Sequence, residues 1–185
     1  MPFEQMKERL KQLILEKAYK RGQFVLASGK TSDFYIDARK ITLDPEGAYL
    51  VGQLLLERLK NDSIAAVGGL TLGADPIVSS IAMASFLEKK PMPVFIVRKE
   101  TKGHGTQKII EGADLKAGER VVLVDDVLTT GGSILEAAKK VEALGVKVVK
   151  VVCIVDRREK EQRTKTLEPF GIPVESLLTI EEIHP

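Results

Sequence analysis

At 185 residues the chain is the length of one domain, and a domain of that size buries about 70% of the surface its unfolded chain exposes. Its 44% hydrophobic and 29% charged residues exclude a disordered or fibrous protein. A net charge of +2 with acids and bases interspersed disfavours a nucleic-acid binder, while leaving room for a local basic patch that meets a phosphorylated ligand.

From the N-terminus, Met1 to Gln5 includes a charge and no apolar core of a signal peptide. Phe3, Met6, Leu10, Leu13 and Ile14 recur at helical spacing and predict an amphipathic helix over about 3–20, ended by Gly22. Two β-rich runs follow, Phe24 to Ala27 and Phe34 to Ala38, separated by the turn-prone residues Ser28 to Ser32. Asp44-Pro45 reads as an N-cap and first helical residue, opening a helix to about Lys60. The pattern then alternates. Strands are expected at Ile64 to Val67, Val94 to Val97, Val121 to Val124 and within Val146 to Val155, with helices at about 75–88 and 133–144. Near-continuous Val/Ile runs alternating with helices predict an α/β fold: a Rossmann-like parallel sheet flanked by helices on both faces. Cys153 lies inside the last of these runs and reads as a small core residue; a lone cysteine forms no intrachain disulfide. No run approaches the ~20 apolar residues of a membrane span. A cytoplasmic protein without a membrane partner is expected.

The stretch between Arg98 and Gly118 breaks the alternation, carrying glycines at 103, 105, 112 and 118 and no strong apolar period. A structureless connection of that length in a compact domain argues either for a mistaken element assignment or for a functional lid; a lid is the expectation, at about 99–118, with Gln107 to Glu111 as a short strand of a lid hairpin.

The most informative segment is Val121-Val122-Leu123-Val124-Asp125-Asp126-Val127-Leu128-Thr129-Thr130-Gly131-Gly132-Ser133. Apolar β formers run into two acids, and a Thr/Gly/Ser turn then opens a helix. In an open parallel sheet, ligands bind outside the carboxyl ends of the strands, where this turn sits. Backbone N–H groups and the hydroxyls of Thr129, Thr130 and Ser133 at a helix N-terminus make a monophosphate site, because open donors and the helix dipole both favour an anion. Phosphate alone does not explain Asp125 and Asp126, which would repel it. A sugar phosphate does, with the acids accepting from ribose hydroxyls. Adjacent strand residues point to opposite faces, so both acids are expected to reach one ribose only where the chain leaves extended geometry near Asp125. Other signatures fail. Gly29-Lys30-Thr31 lacks the upstream glycine of a Walker loop, Gly103-His104-Gly105 does not complete a dinucleotide fingerprint, and two histidines with one cysteine form no zinc motif.

The hydrophobic-Asp-Asp-Thr/Gly turn resembles the donor-binding motif of the type I phosphoribosyltransferases. The segment Arg98-Lys99-Glu100-Thr101-Lys102-Gly103-His104-Gly105 resembles, more narrowly, the flexible loop of the orotate phosphoribosyltransferases. That resemblance implies the type I fold as a single domain over 1–185, with about 1–40 forming a small N-terminal hood. It implies Mg-dependent transfer of ribose 5-phosphate from phosphoribosyl pyrophosphate to orotate, giving orotidine 5-phosphate and pyrophosphate in UMP biosynthesis. On it, Arg98, Lys99, Lys102 and His104 grip pyrophosphate, Asp125 through Ser133 hold the donor's ribose and 5-phosphate, and Thr129 and Arg157 meet orotate. An arginine suits that last role because its planar fork pairs bidentately with a carboxylate. Lys99, Lys102, His104, Asp125 and Asp126 are the expected catalytic set. Mg²⁺ is expected to be held mainly through substrate, with no protein metal cage. The resemblance further implies a homodimer with shared active sites and no nucleic-acid partner. The turn Gly68 to Pro76 lies against pyrophosphate in the family, and Phe34 to Arg39 matches its hood strand. Ala27 and Leu72 stand where well-known bacterial members carry lysines, so Lys99, Lys102 and His104 are expected to bear more of the pyrophosphate contact. Two alternatives stay open: a purine or uracil salvage transferase sharing the donor motif, and a non-catalytic regulatory protein of the same fold.

Overall fold

The computed structural model describes all residues except 26–28, 30, 101–107 and 185. Its centre is a six-stranded sheet in the order β5-β4-β3-β6-β7-β8. The strands are β3 (Ala66–Leu70), β4 (Val94–Val97), β5 (Ile110–Gly112), β6 (Arg120–Leu128), β7 (Lys147–Asp156) and β8 (Val174–Thr179). Every pairing is parallel except β4 with β5, which runs antiparallel at one edge. The longer helices are α1 (Phe3–Leu13), α3 (Pro45–Leu59), α4 (Asp75–Leu87) and α5 (Gly132–Glu142), with short helices α2 (Arg39–Thr42), α6 (Lys160–Arg163) and α7 (Ile180–Ile183). A separate antiparallel hairpin, β1 (Tyr19–Val25) and β2 (Thr31–Ile36), forms the hood.

Both faces of the sheet are covered, and the period of two along β6 divides the core. Val122 and Val124 pack with Leu10, Leu54 and Ile81 from α1, α3 and α4. Val121 and Leu123 pack with Ile134, Ala138 and Val141 of α5, and with Cys153. Burial pushes the Cys153 thiol well above its usual range, so it stays a protonated, inert core residue. Asp44 caps α3, its carboxylate accepting from the Glu46 and Gly47 amides at 3.0 Å, with Pro45 in the first turn.

Several boundaries differ from the sequence expectation: β3 runs over Ala66–Leu70 rather than Ile64 to Val67, and β6 continues through both acids to Leu128 rather than ending at Val124. The N-terminal helix stops regular winding at Leu13, passes through a π-helical turn over Ile14–Ala18 and enters β1 at Tyr19. The apolar period ran on through Ile14 because that turn still buries Ile14 and Ala18. The hood strands therefore begin earlier, at Tyr19 and Thr31, than at Phe24 and Phe34. At the other end, β8 adds an edge strand that the apolar pattern had not marked. Within the expected lid, β5 and the residues after it return to the sheet: Arg98 N–H donates to Ile109 C=O at 2.9 Å and Ala113 N–H to Val94 C=O at 2.9 Å.

Candidate active site

The carboxyl ends of β3 and β6, the start of α5, residue Arg157 after β7 and the hood segment Tyr35–Arg39 surround one cleft of about 570 Å³. Its wall includes Thr71, Gly73, Lys99, Asp125, Asp126, Val127, Thr129, Thr130 and Ser133. This is the mouth of a parallel sheet, the position where such folds bind ligands.

The turn after β6 is held open by its glycines. Gly131 has φ +81°, a left-handed conformation that side chains resist, and it stands at the N-cap of α5 without any side-chain cap. The first intrahelical bond at this end runs from Leu135 N–H to Gly131 C=O, at 2.8 Å. The amides of the first turn therefore have no helical acceptor and face an anion-sized opening lined by Thr129, Thr130 and Ser133. Leu128 differs from its neighbours: its side chain is fully buried in the core, and its carbonyl accepts from Arg157 N–H at 2.8 Å. Val127 both borders the cleft and packs on the core.

The acid pair keeps strand pairing, against the expectation that the chain must leave it. Asp125 pairs with Cys153 and Val127 with Val155 without a register break between them. Each carboxylate instead turns along the chain: Asp125 Oδ1 accepts from Asp126 N–H at 3.1 Å, and Asp126 Oδ1 from Val127 N–H at 2.7 Å. Both then converge opposite Gly73. A Cβ at Gly73 would stand 3.6 Å from the Asp126 carboxylate and 3.7 Å from Asp125 Oδ1. Burial, and then the Asp126 charge beside it, push the Asp125 carboxyl up to about 7. The pair is poised to accept hydroxyl protons or meet a cation.

Across the cleft, Arg157 lies over the Phe34 ring with 4.3 Å from guanidinium to ring centre, and donates to Ser32 Oγ at 3.3 Å. Half-burial lowers its pKa from the usual arginine value, yet it remains a cation at any working pH. Its neighbours are locked by a buried ion pair: Arg158 Nη2 to Asp156 Oδ2 at 2.8 Å and Arg158 Nε to Asp156 Oδ1 at 3.1 Å. The far side of Phe34 stacks on His184 at 4.5 Å, and His184 Nδ1 bonds Tyr19 Oη at 2.5 Å. The hood is thus tied to both the cleft and the C-terminal segment.

Of the basic segment, Lys99 borders the cleft. Arg98 does not; its guanidinium pairs with Glu111 of β5 at 3.1 Å. Lys102 and His104, like Ala27, lie outside the described residues. Sequence reasoning missed Asp37, Arg39 and Thr71 as cleft residues. Thr71, whose hydroxyl donates to Asp75 Oδ2 at 2.8 Å, sits in a strand-to-helix turn that the sequence had marked only as a segment. Among the described residues no cluster of three or more metal-ligating side chains occurs, and no helix is long and apolar enough to cross a membrane.

Residues 44–176 match the model of the phosphoribosyl transferase domain. The chain is 42% identical over 179 residues to an orotate phosphoribosyltransferase of Nostoc sp., covering 97% of this chain and 85% of that one. It is 44% identical over 180 residues to the Aquifex aeolicus orotate phosphoribosyltransferase, covering 96% and 97% of the two chains. The solved Mycobacterium tuberculosis orotate phosphoribosyltransferase superposes with a TM-score of 0.81 at 35% identity, over 97% of this chain and 99% of that one. A second structure of that enzyme, in complex with 5-phospho-α-D-ribosyl 1-diphosphate, gives a TM-score of 0.78 at 32% identity, with coverage of 97% and 99%. The chain is therefore a member of the orotate phosphoribosyltransferase family, a family of glycosyltransferases.

Proposed function

We propose that this chain transfers ribose 5-phosphate from phosphoribosyl pyrophosphate to orotate, yielding orotidine 5-phosphate and pyrophosphate for UMP synthesis. The observation that carries the reading is the convergence of Asp125 and Asp126 beside the open first turn of α5, with Arg157 on the facing wall. The donor's 5-phosphate sits against the amides of residues 132–134 and the hydroxyls of Thr129, Thr130 and Ser133. Asp125 and Asp126 accept from the ribose hydroxyls. Arg157 takes the orotate carboxylate, with Thr129 beside it. Orotate N1 then forms a bond to C1 of ribose as the bond from C1 to pyrophosphate oxygen breaks, its electron pair leaving with pyrophosphate, and the N1 proton passes to the departing pyrophosphate. Charge builds on both fragments, and cations fixed near the leaving oxygens are worth on the order of 3 kcal/mol each. Lys99 is placed for that role on the cleft wall. Lys102 and His104, on the segment reading, join it when the stretch between Lys99 and Ile109 closes as a lid and excludes water; the remainder of the expected 99–118 lid is held at the sheet edge by β5.

Asp125 and Asp126 present hard oxygen donors of the kind Mg²⁺ takes, so the cleft fits an Mg²⁺ carried in on the donor. When bound, it neutralises charge on the pyrophosphate. A homodimer with shared sites is part of the same reading. It is supported by the outer face of α4, where Met83, Phe86 and Leu87 are 63%, 72% and 69% exposed.

The test follows orotate absorbance with enzyme, Mg²⁺ and donor, then substitutes adenine, hypoxanthine and uracil. Turnover of orotate alone is expected. Turnover of a purine or uracil without orotate would transfer the assignment to a salvage enzyme, and donor binding without turnover of any base would make it a regulatory protein.

A further inference from the structure

Lys140 lies on α5, seven residues beyond Ser133 and so about 10 Å along the helix from the phosphate-binding turn. Its ammonium is saturated. It donates to the backbone carbonyl of Arg98 at 2.9 Å, to that of Lys99 at 2.6 Å and to Glu136 Oε1 at 2.6 Å. An ammonium has three N–H donors, and two of them are spent here on consecutive peptide groups just past the end of β4. A surface lysine ordinarily keeps its head in water; this side chain is only 21% exposed.

Those two peptide groups are where the chain leaves the sheet for the basic segment. On one side Arg98 N–H is fixed by Ile109 C=O. On the other the carbonyls of Arg98 and Lys99 are fixed by Lys140. With its own carbonyl and the preceding peptide pinned, the backbone of Lys99 has little freedom, and the residue borders the cleft. The same rigid helix therefore carries the amides that meet the donor's 5-phosphate and, through Lys140, sets the lysine that meets the opposite end of the donor.

We propose that Lys140 is a positioning residue for the transfer reaction: it couples α5 to the root of the basic segment and holds Lys99 at the distance from the phosphate turn that the donor spans. The proposal rests on the reading of Lys99 as a pyrophosphate contact. Near-attack geometry is steep, with a misplacement of about 1 Å costing up to a hundredfold in rate, so loosening rather than removing Lys99 should be felt in turnover.

The experiment is a double-mutant cycle of K140M and K99A on the full chain, reading kcat, KM for the donor and the thermal midpoint. K140M is expected to lower kcat about tenfold, with the thermal midpoint little changed and KM for orotate unaffected. In the K99A background the same change is expected to cost nothing further, because the group it positions is gone. A K140M enzyme with full kcat, or one whose loss repeats undiminished on top of K99A, overturns the coupling and leaves the Lys99 reading intact. A K99A enzyme with full activity removes the Lys99 reading, and the role of Lys140 falls with it. Should K140M fail to fold, K140Q, which keeps an amide donor, takes its place in the same cycle.

Discussion

Two neighbouring strands carry acids toward their carboxyl ends, and the two are held in opposite ways. At the end of β7, Asp156 is 2% exposed and gripped by the Arg158 fork, itself 6% exposed, so that the charge pair is complete within the protein. Near the end of β6, Asp125 has only another carboxylate beside it and short bonds to its own backbone. The first pair is finished; the second lacks a partner that a ligand would supply. Adjacent acids on one sheet thus separate scaffold from site by whether their charge is already answered.

The largest effect should come from breaking the finished pair. Replacing Asp156 by Asn strands the Arg158 cation in the core, and breaking one partner of a buried pair costs about 3–5 kcal/mol. Urea denaturation should show that loss whether or not substrates are present. An intact midpoint would mean that the pair contributes no more than a surface bridge.

Next comes the unfinished pair, where the sign reverses. Asp125→Asn should lower kcat/KM about 10- to 100-fold, the range for losing a charged hydrogen bond to substrate, while leaving the free protein as stable or more so at neutral pH. The pH dependence follows from the raised carboxyl. Between the usual value of 3.8 and about 7 the folded state holds a proton that the unfolded chain has released. Stability from this group is therefore greatest at acid pH and declines as pH rises through that window. The stability gap between variant and parent should widen from pH 4.5 to 7.5 in paired denaturation curves. A gap that narrows would reverse the assignment of burial as the dominant cause.

The smallest effect is expected at the facing wall. Arg157→Lys keeps a charge but loses the planar fork and its stacking on Phe34. KM for orotate should rise about tenfold, with donor affinity nearly unchanged in a competition assay. An equal loss for both substrates would place Arg157 in the structural frame with Arg158.

Much of the body was legible because burial on both faces leaves unbroken apolar runs: β4, β6 and β7 include the Val and Ile clusters, and Asp44-Pro45 marked the start of α3, whereas β3 runs past the expected Ile64 to Val67 because its two glycines carry no apolar side chain to mark it. The donor turn was legible because few uses of Asp-Asp followed by Thr-Thr-Gly-Gly fit packing alone. The hood was blurred because β1 is exposed along most of its length and so carries no period of two, and because the π-helical turn at Ile14–Ala18 keeps burying apolar residues after the regular helix ends. β8 was missed because Glu175 and Ser176 interrupt its apolar positions. The buried pair of Asp156 and Arg158 was not legible because a sequence shows charges but not which of them have found each other. Lys140 gave no signal, since its partners are main-chain carbonyls some 40 residues away.

The short antiparallel strand β5 has a consequence for how this enzyme family member tolerates change. By meeting β4 and fixing Ile109 against Arg98, it clamps both ends of the stretch between them to the sheet margin. Once such ends are joined, doubling the stretch adds only about 0.6 kcal/mol of closure entropy. Insertions or deletions there can alter the reach of the basic segment without loosening the open sheet and its helices beneath, so reach and foldedness are free to vary separately.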